Sequence, residues 1–235
     1  MRIFKPYDIR GVYPSEIDEQ MAENIGKAIG TIRKGKIGVG RDVRKSSPKL
    51  HKAFVKGLIS TGAEVIDFGI ISTPLIIFAT SYYNLSCGAI ITASHNPETH
   101  NGVKIYDKNS IPLSYETGIA KIEQLTNSKK FRVGKGTIKK TNPFNDYKNY
   151  LISKISKPKK LKIVVDCLNG AGSKIIPEIL NSWGLNVTKI RCEGNGKFPK
   201  DGPNPKAENL KELSKKVKST NADLGLAFDG DADRL

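Results

Sequence analysis

Short apolar runs alternate along this chain with longer stretches whose apolar residues recur at helical spacing. Residues 36–42 (KIGVGRD), 64–69 (EVIDFG) and 87–92 (CGAIIT) have the composition of buried strands. Helical patterns separate them, SSPKLHKAFVKGLISTGA and TPLIIFATSYYN, each with a proline close to its start. Because parallel strands need long crossover connections, this alternation predicts a largely parallel sheet covered by helices. A further strand over 103–107 and a helix around 114–126 are expected to follow.

The same alternation begins again after residue 160. It predicts a strand over 161–170, a helix in AGSKIIPEILNSWG, a strand in LNVTKIRC, an amphipathic helix in AENLKELSKKVKS and a last buried strand over 223–228. The expected fold class is α/β, with two successive α/β units whose mixed, largely parallel sheets are covered by helices. Charge and proline content change near 145–160, so we divide the chain into domains 1–148 and 149–235, the second incomplete at its C-terminus.

The composition is that of an ordinary globular protein, with 38% hydrophobic and 26% charged residues. No run approaches the ~18 apolar residues of a membrane span, and the N-terminus lacks the apolar core of a secretion signal, so we expect a cytoplasmic protein without membrane contact. The three cysteines are Cys87, Cys167 and Cys192. The first two lie in apolar runs, so we expect small buried side chains, and no redox or metal–thiolate chemistry.

The net charge of +16 is concentrated in one segment, because residues 127–162 hold twelve Lys or Arg and one Asp. An excess of this size raises nucleic acid as a possible partner. The segment has little aromatic interleaving and no recognised RNA- or DNA-binding motif. A solvated face between the two units is therefore favoured over a specific nucleic-acid site, and the remaining surplus suits an anionic small substrate.

The C-terminal DGDADRL places Asp229, Asp231 and Asp233 directly after the last predicted strand. Ligands of open parallel sheets bind beyond the carboxyl ends of the strands, where this loop must lie. Three neighbouring carboxylates repel one another unless a hard cation lies between them, and oxygen ligands suit Mg²⁺ or Ca²⁺. The alternative is a polar turn whose aspartates bond to nearby amides. An EF-hand is disfavoured, since Gly230 occupies the second position of the loop rather than the sixth.

Residues 92–97 (TASHNP) follow the strand at 87–92 and end in an Asn-Pro turn signal. Helical dihedrals are disfavoured for Asn96, because it precedes Pro97. Ser94, two residues earlier, is therefore expected on an irregular loop. Composition alone leaves two interpretations open. Ser94 is either a turn or capping residue, or a hydroxyl presented for chemistry.

Several motifs, in this order and spacing, resemble the α-D-phosphohexomutases, the family of phosphomannomutases, phosphoglucomutases and phosphoglucosamine mutases. The motifs are YDIRG (7–11), VGRDVRKSSP (39–48), TASHNP (92–97), NGVKIY (101–106), VVDCLNGAG (164–172), GPNPKAENL (202–210) and FDGDADRL (228–235). The resemblance covers the whole chain. It implies that Ser94 carries a phosphoryl group and coordinates Mg²⁺ together with the three aspartates of the C-terminal loop. A phosphoserine dianion beside a cation agrees with the chemistry of phosphoryl transfer.

The resemblance also implies roles for four other residues. Arg10 and Arg234 match arginines that would contact a phosphate, a task for which a guanidinium is better suited than an ammonium. Lys104 matches a general acid/base, and His95 matches a histidine that orients or donates to the substrate. His51 and His100 are expected at the surface, outside the site.

The chain also departs from the family. Leu168 stands where many relatives have glycine, and GPNPKAENL is looser than the usual form. Family members are about twice as long, with third and fourth domains that would bind the sugar and its phosphate, so a truncated chain or a split enzyme with a second chain is expected.

The sequence leaves three candidate functions to be distinguished. The first is an enzyme that interconverts sugar 1-phosphates and 6-phosphates through a bisphosphate, with mannose or glucose favoured by FKPYDIRG over glucosamine. The second is an aspartyl-phosphate phosphatase with Asp229 or Asp231 as nucleophile. The third is a non-catalytic module whose basic segment binds nucleic acid or an acidic partner through lysines such as those at 157, 159 and 160.

Overall fold

The computed structural model describes residues 3–156, 158–200 and 202–235, so the lysine at 157 named above lies outside the described residues. The chain divides into two compact units. The first comprises the chain up to Ala93 together with Thr99–Asn142. The second comprises Ser94–Glu98 together with Pro143–Leu235. The segment Ser94–Glu98 therefore belongs with the second unit, although its neighbours in sequence belong to the first.

The first unit contains a six-stranded mixed sheet. Its strands are β1 (Ile9–Val12), β2 (Lys36–Arg41), β3 (Glu64–Ile70), β4 (Cys87–Ile91), β5 (His100–Asp107) and β6 (Thr137–Lys140). They are arranged in the order β1-β5-β4-β2-β3-β6. The pairs β2–β3, β2–β4 and β3–β6 are parallel, whereas β5 is antiparallel to both of its neighbours. The short connection from β4 to β5 leaves no room for a crossover helix, so an antiparallel pair results.

In the described part of the first unit, four α-helices accompany the sheet. They are α1 (Glu19–Ile32), α2 (Ser47–Ile59), α3 (Thr73–Tyr82) and α4 (Ala120–Ser128), the last preceded by a π-helical turn at Tyr115–Ile119. The side chain of Asp18 accepts a hydrogen bond from the Met21 amide and caps α1. Glycines permit α1 and α2 to pack closely, since a Cβ on Gly26 would collide with the Phe54 carbonyl. Phe54 is fully buried in the core between these helices and the sheet.

The second unit contains a three-stranded parallel sheet. Its elements are α5 (Phe144–Lys154), β7 (Lys162–Asp166), α6 (Ile175–Ser182), β8 (Asn186–Ile190), α7 (Lys211–Thr220) and β9 (Leu224–Ala227). The strands are arranged in the order β8-β7-β9, with β7 in the centre and buried after its first residue. All three carboxyl ends therefore meet at one edge, and the loops that follow them converge there.

The predicted fold class is confirmed, and the structure adds four elements that the sequence patterns did not predict: β1, α1, β6 and α5. The strand β6 is exposed throughout, and α5 buries none of its residues, so neither carries a hydrophobic period. The boundary expected after residue 148 falls inside α5, while the units divide between Asn142 and Pro143. Across the described ranges, no helix has the length and apolar character needed to cross a bilayer.

Candidate active site in the second unit

The acidic loop follows β9 at the carboxyl edge of the three-stranded sheet. Asp229 and Asp231 have no exposed surface, whereas Asp233 is exposed. Each of the three offers a carboxylate oxygen, and these oxygens lie within 4.8 Å of one another. The structure thus brings the three predicted metal ligands together. Such a concentration of buried negative charge is unfavourable unless a cation or a proton offsets it.

Asp229 is the centre of the loop's hydrogen bonding. Its Oδ1 accepts the amides of Asp233 at 3.0 Å and Arg234 at 3.1 Å. Burial, and next repulsion from Asp231 and Asp233, raise the pKa of Asp229 to about 7, against the lowering effect of a hydrogen bond from Ser94. In the metal-free protein this carboxyl group is therefore partly protonated at neutral pH.

Ser94 is held against the acidic loop. It is almost fully buried, and its Oγ donates to Asp229 Oδ2 at 2.8 Å, across 135 residues of sequence. Its Oγ also lies 3.3 Å from Nδ1 of the half-buried His95. Its φ of 52° lies in the left-handed region, which costs energy for a residue with a side chain. The Ser94 hydroxyl is therefore oriented by Asp229, one of the three predicted metal ligands.

The loop over residues 202–209 contacts both the Ser94 segment and the acidic loop. Sequence reasoning missed this role. The Gly230 amide donates to the Pro203 carbonyl at 3.1 Å, and a Cβ on Gly230 would lie 2.5 Å from the Ser94 carbonyl oxygen. Gly202, with φ of 83°, passes so close that its Cβ would lie 3.3 Å from the His95 carbonyl oxygen. The buried side chain of Asn209 donates to the carbonyls of Gly202 and Asn204 and fixes this loop. The available signal was the Gly- and Pro-rich GPNP sequence.

The turn after β7 supports the acidic loop from another side. The Ala171 amide donates to the Gly230 carbonyl at 2.9 Å. Leu168 is fully buried and has φ of 44°, and Asn169 follows with φ of 56°. The backbone at residue 168 therefore has a conformation that favours glycine, and Leu168 adopts it with its side chain buried. The Arg191 guanidinium forms an ion pair with the buried Asp166 carboxylate at the start of this turn.

The remaining predicted residues are distributed between the two units. Arg10 and Lys104 lie in the first unit, on neighbouring strands β1 and β5. Arg10 pairs with Gly102 in the antiparallel β1–β5 ladder. Lys104 lies two residues further along β5, so its side chain projects from the same face of the sheet as that of Arg10. Arg234 in the second unit is exposed, and its backbone exchanges hydrogen bonds with Asp229.

The two histidines expected at the surface differ from that expectation. His51 lies on the inner face of α2 and is 9% exposed, with Nε2 3.1 Å from Asp67 Oδ1, so its prediction as a surface residue is wrong. His100 is half-buried on β5. Burial, and next the positive charges of Arg44 and Arg10, lower the pKa of His100. His100 therefore lies close to Arg10, a relation that sequence reasoning did not anticipate.

Comparison with known proteins connects both units to one family. Residues 1–133 match the model described as phosphoglucomutase/phosphomannomutase, alpha/beta/alpha domain I, and residues 144–235 match the corresponding domain II. A phosphomannomutase/phosphoglucomutase of Pseudomonas putida is 38% identical over 99% of this chain and 51% of its own length. A phosphoglucomutase/phosphomannomutase of Thermococcus kodakarensis is 39% identical over 99% of this chain and 54% of its own length.

A solved structure shows the same relation. The crystal structure of a phosphoglucomutase/phosphomannomutase family protein from Burkholderia thailandensis superposes with a TM-score of 0.90 at 32% identity, over 98% of this chain and 53% of that one. The chain thus spans about half the length of the relatives it matches.

Proposed function

The chain belongs to the phosphoglucomutase/phosphomannomutase family, and on that premise we propose that it supplies the phosphoryl-carrying part of a phosphohexomutase. The reaction is the interconversion of a sugar 1-phosphate and 6-phosphate through a phosphoserine and a bisphosphate intermediate. Ser94 carries the phosphoryl group. The observation that supports this most strongly is the hydrogen bond of 2.8 Å from the buried Ser94 hydroxyl to Asp229 in a cluster of three carboxylates.

Ser94 suits this role because the protein fixes its hydroxyl before any substrate arrives. The left-handed backbone and the bond to Asp229 orient Oγ, and the backbone contact with Gly230 holds the segment in place. Phosphoryl transfer depends mainly on position and on charge neutralisation, so a pre-oriented hydroxyl supplies much of what the protein must contribute. His95 Nδ1, at 3.3 Å from Oγ, helps to orient the same group.

The donor set fits Mg²⁺, which the family generally requires. Asp229, Asp231 and Asp233 would hold the ion, together with a phosphate oxygen on Ser94, and all of these donors are oxygens. Burial and the charges of Asp231 and Asp233 raise the pKa of Asp229, and a bound cation would offset this cost of ionising the carboxyl group. When bound, Mg²⁺ neutralises negative charge on the transferring phosphoryl group. An ion of this kind explains why buried carboxylates are retained here at a cost to stability.

The cationic residues complete the proposal. Arg10 and Arg234 contact phosphate oxygens, and Lys104 exchanges a proton with the reacting sugar hydroxyl. The common face of Arg10 and Lys104 on the β1–β5 pair is consistent with one ligand meeting both side chains. We propose mannose or glucose phosphates as substrates, as the names of the Pseudomonas and Thermococcus relatives suggest. Phosphoglucosamine is the alternative substrate.

Turnover also needs the part of the relatives' length that this chain does not span. We therefore propose that the 235 residues bind Mg²⁺ and accept phosphate on Ser94, but interconvert hexose phosphates only with the further domains. A coupled assay for glucose 6-phosphate formation, with and without a polypeptide carrying those domains, tests this. Substantial turnover by the unaccompanied chain would contradict the proposed division of labour.

The role of Ser94 is tested in the same complemented assay. Ser94→Ala should lower kcat by a factor of at least about 10³, because the phosphate acceptor is lost. Ser219→Ala is the matched control, since Ser219 is an exposed serine of α7 in the same unit. The control should retain full activity. Equal activity of the two variants would remove Ser94 from the mechanism.

A further inference from the structure

Two of the three cysteines meet at the carboxyl edge of the second sheet. Cys167 directly follows β7, and Cys192 comes two residues after the end of the neighbouring strand β8. The Cys167 amide donates to the Ile190 carbonyl at 3.4 Å and extends the pairing of the two strands beyond their last ladder positions. The 25 residues between the cysteines conceal this proximity in the sequence.

The sulfur atoms of this pair are close enough to react with each other. The two Sγ atoms lie 3.0 Å apart, within about 1 Å of the length of a disulfide bond. Neighbouring hydrogen bonds hold the two backbones in register, since Asn169 donates its amide to the Arg191 carbonyl and its side chain to the Lys197 carbonyl. Closing a disulfide therefore requires the two sulfur atoms to approach each other by about 1 Å.

The two thiols differ in exposure. Cys167 is fully buried, whereas Cys192 is half-buried. The hydrogen bond between the two thiols lowers the pKa of Cys192, while the same bond, followed by burial, raises the pKa of Cys167. Cys192 is thus the thiol that a small oxidant reaches first, and Cys167 is positioned to attack it afterwards. Cys87 lies in the first unit, buried on β4.

We propose that Cys167 and Cys192 form a redox-sensitive site that closes reversibly to an intramolecular disulfide when a peroxide is present. The Cys192 sulfur attacks one oxygen of hydrogen peroxide, the O–O bond breaks, and a sulfenic acid and one water form. The Cys167 sulfur then attacks the sulfenic sulfur, the S–O bond breaks, and a second water leaves with the thiol proton. Two thiols are oxidised and one peroxide is reduced to two waters.

The disulfide would tie together the ends of β7 and β8 beside the acidic loop. The turn that begins at Cys167 continues to Ala171, whose amide donates to the Gly230 carbonyl. Oxidation thus cross-links the turn that supports the acidic loop to the segment that follows β8. The site does not depend on the proposed mutase activity, because its chemistry involves only the two thiols and the oxidant.

The test treats the chain with a few equivalents of hydrogen peroxide and then alkylates it in denaturant. One thiol should remain alkylatable instead of three, the intact mass before alkylation should fall by about 2 Da, and a peptide linking Cys167 to Cys192 should appear and vanish with dithiothreitol. Cys192→Ser and Cys167→Ser should abolish the linked peptide, and Cys87→Ala, the matched control, should retain it. Mass gains of about 16 or 32 Da without a linked peptide in the unmutated chain, or linkage only between chains, would overturn the proposal.

Discussion

The charge of Asp229 is expected to destabilise the metal-free second unit, and Asp229→Asn should therefore stabilise it. Asparagine keeps the carbonyl oxygen that accepts the amides of Asp233 and Arg234, and its amide group can donate to the Ser94 hydroxyl oxygen. The substitution removes the buried charge that Asp231 and Asp233 repel. It should also remove a ligand for the cation.

The magnitude follows from the pKa of Asp229, raised from 3.8 to about 7 in the folded protein. Between these values the folded state binds the proton more tightly than the unfolded state does, so the free energy of unfolding falls as pH rises. The loss is absent below about pH 4 and reaches roughly 4 kcal/mol above pH 7. Because asparagine is an imperfect replacement, we expect a gain of about 2 kcal/mol at pH 8 and none near pH 4.

Denaturant titrations monitored by tryptophan fluorescence measure the stability of the second unit, which contains Asp229. Trp183 is the chain's single tryptophan, and it packs against the core of the second unit. The experiment compares wild type, Asp229→Asn and the control Glu208→Gln, an exposed acid of the same unit, at pH 4.5 and 8 in EDTA. A variant less stable than wild type at pH 8, or an advantage that is larger at pH 4.5, would refute the electrostatic reasoning.

Three further outcomes are expected. Gly230→Ala places a methyl group 2.5 Å from a backbone carbonyl oxygen of the serine loop and should cost about 1–3 kcal/mol, measured by the same fluorescence titration; an unchanged midpoint would contradict the close packing. Arg191→Met leaves the fully buried Asp166 without its ion-pair partner and should cost about 3–5 kcal/mol by thermal unfolding, whereas an unchanged unfolding temperature would contradict a stabilising role for this pair. Binding to duplex DNA should be weak and steeply salt-dependent and should fall further on Lys159→Gln with Lys160→Gln, while a tight, sequence-selective complex at physiological salt would overturn the interpretation of the basic segment as a solvated face.

Much of the fold was predictable because its central strands have apolar centres and the segments between them have apolar residues at helical spacing. The runs at 36–42, 64–69 and 87–92 correspond to β2, β3 and β4, and the apolar residues at their centres are buried. The exposed β6 has the sequence TIKK, and its place in the sheet comes from pairing with β3 rather than from its side chains. Such a strand gives no signal to single-sequence reasoning, because backbone pairing leaves no mark on composition.

The site was predictable to a different extent. The residues at Ser94 and 229–233 indicated two separate loops, and only the family resemblance implied that they share a metal ion. The structure adds the hydrogen bond from Ser94 to Asp229. The motif VGRDVRKSSP contributed to the family resemblance, and the structure shows that its Asp42 and Arg44 are fully buried partners at 3.1 Å in the first unit. The same charged residues can form either a functional motif or a buried structural ion pair. Their burial must be known before the two can be distinguished.

The central claim is that Ser94 carries the phosphoryl group, and locating that group on the protein tests it most directly. The chain is incubated with Mg²⁺ and a hexose 1,6-bisphosphate, digested, and mapped for phosphopeptides. The account predicts an acid-stable, hydroxylamine-resistant phosphate in the peptide that contains Ser94, and its loss in Ser94→Ala. A hydroxylamine-sensitive acyl phosphate on Asp229 or Asp231, with Ser94 unmodified, would contradict the account and support an aspartyl-phosphate enzyme instead.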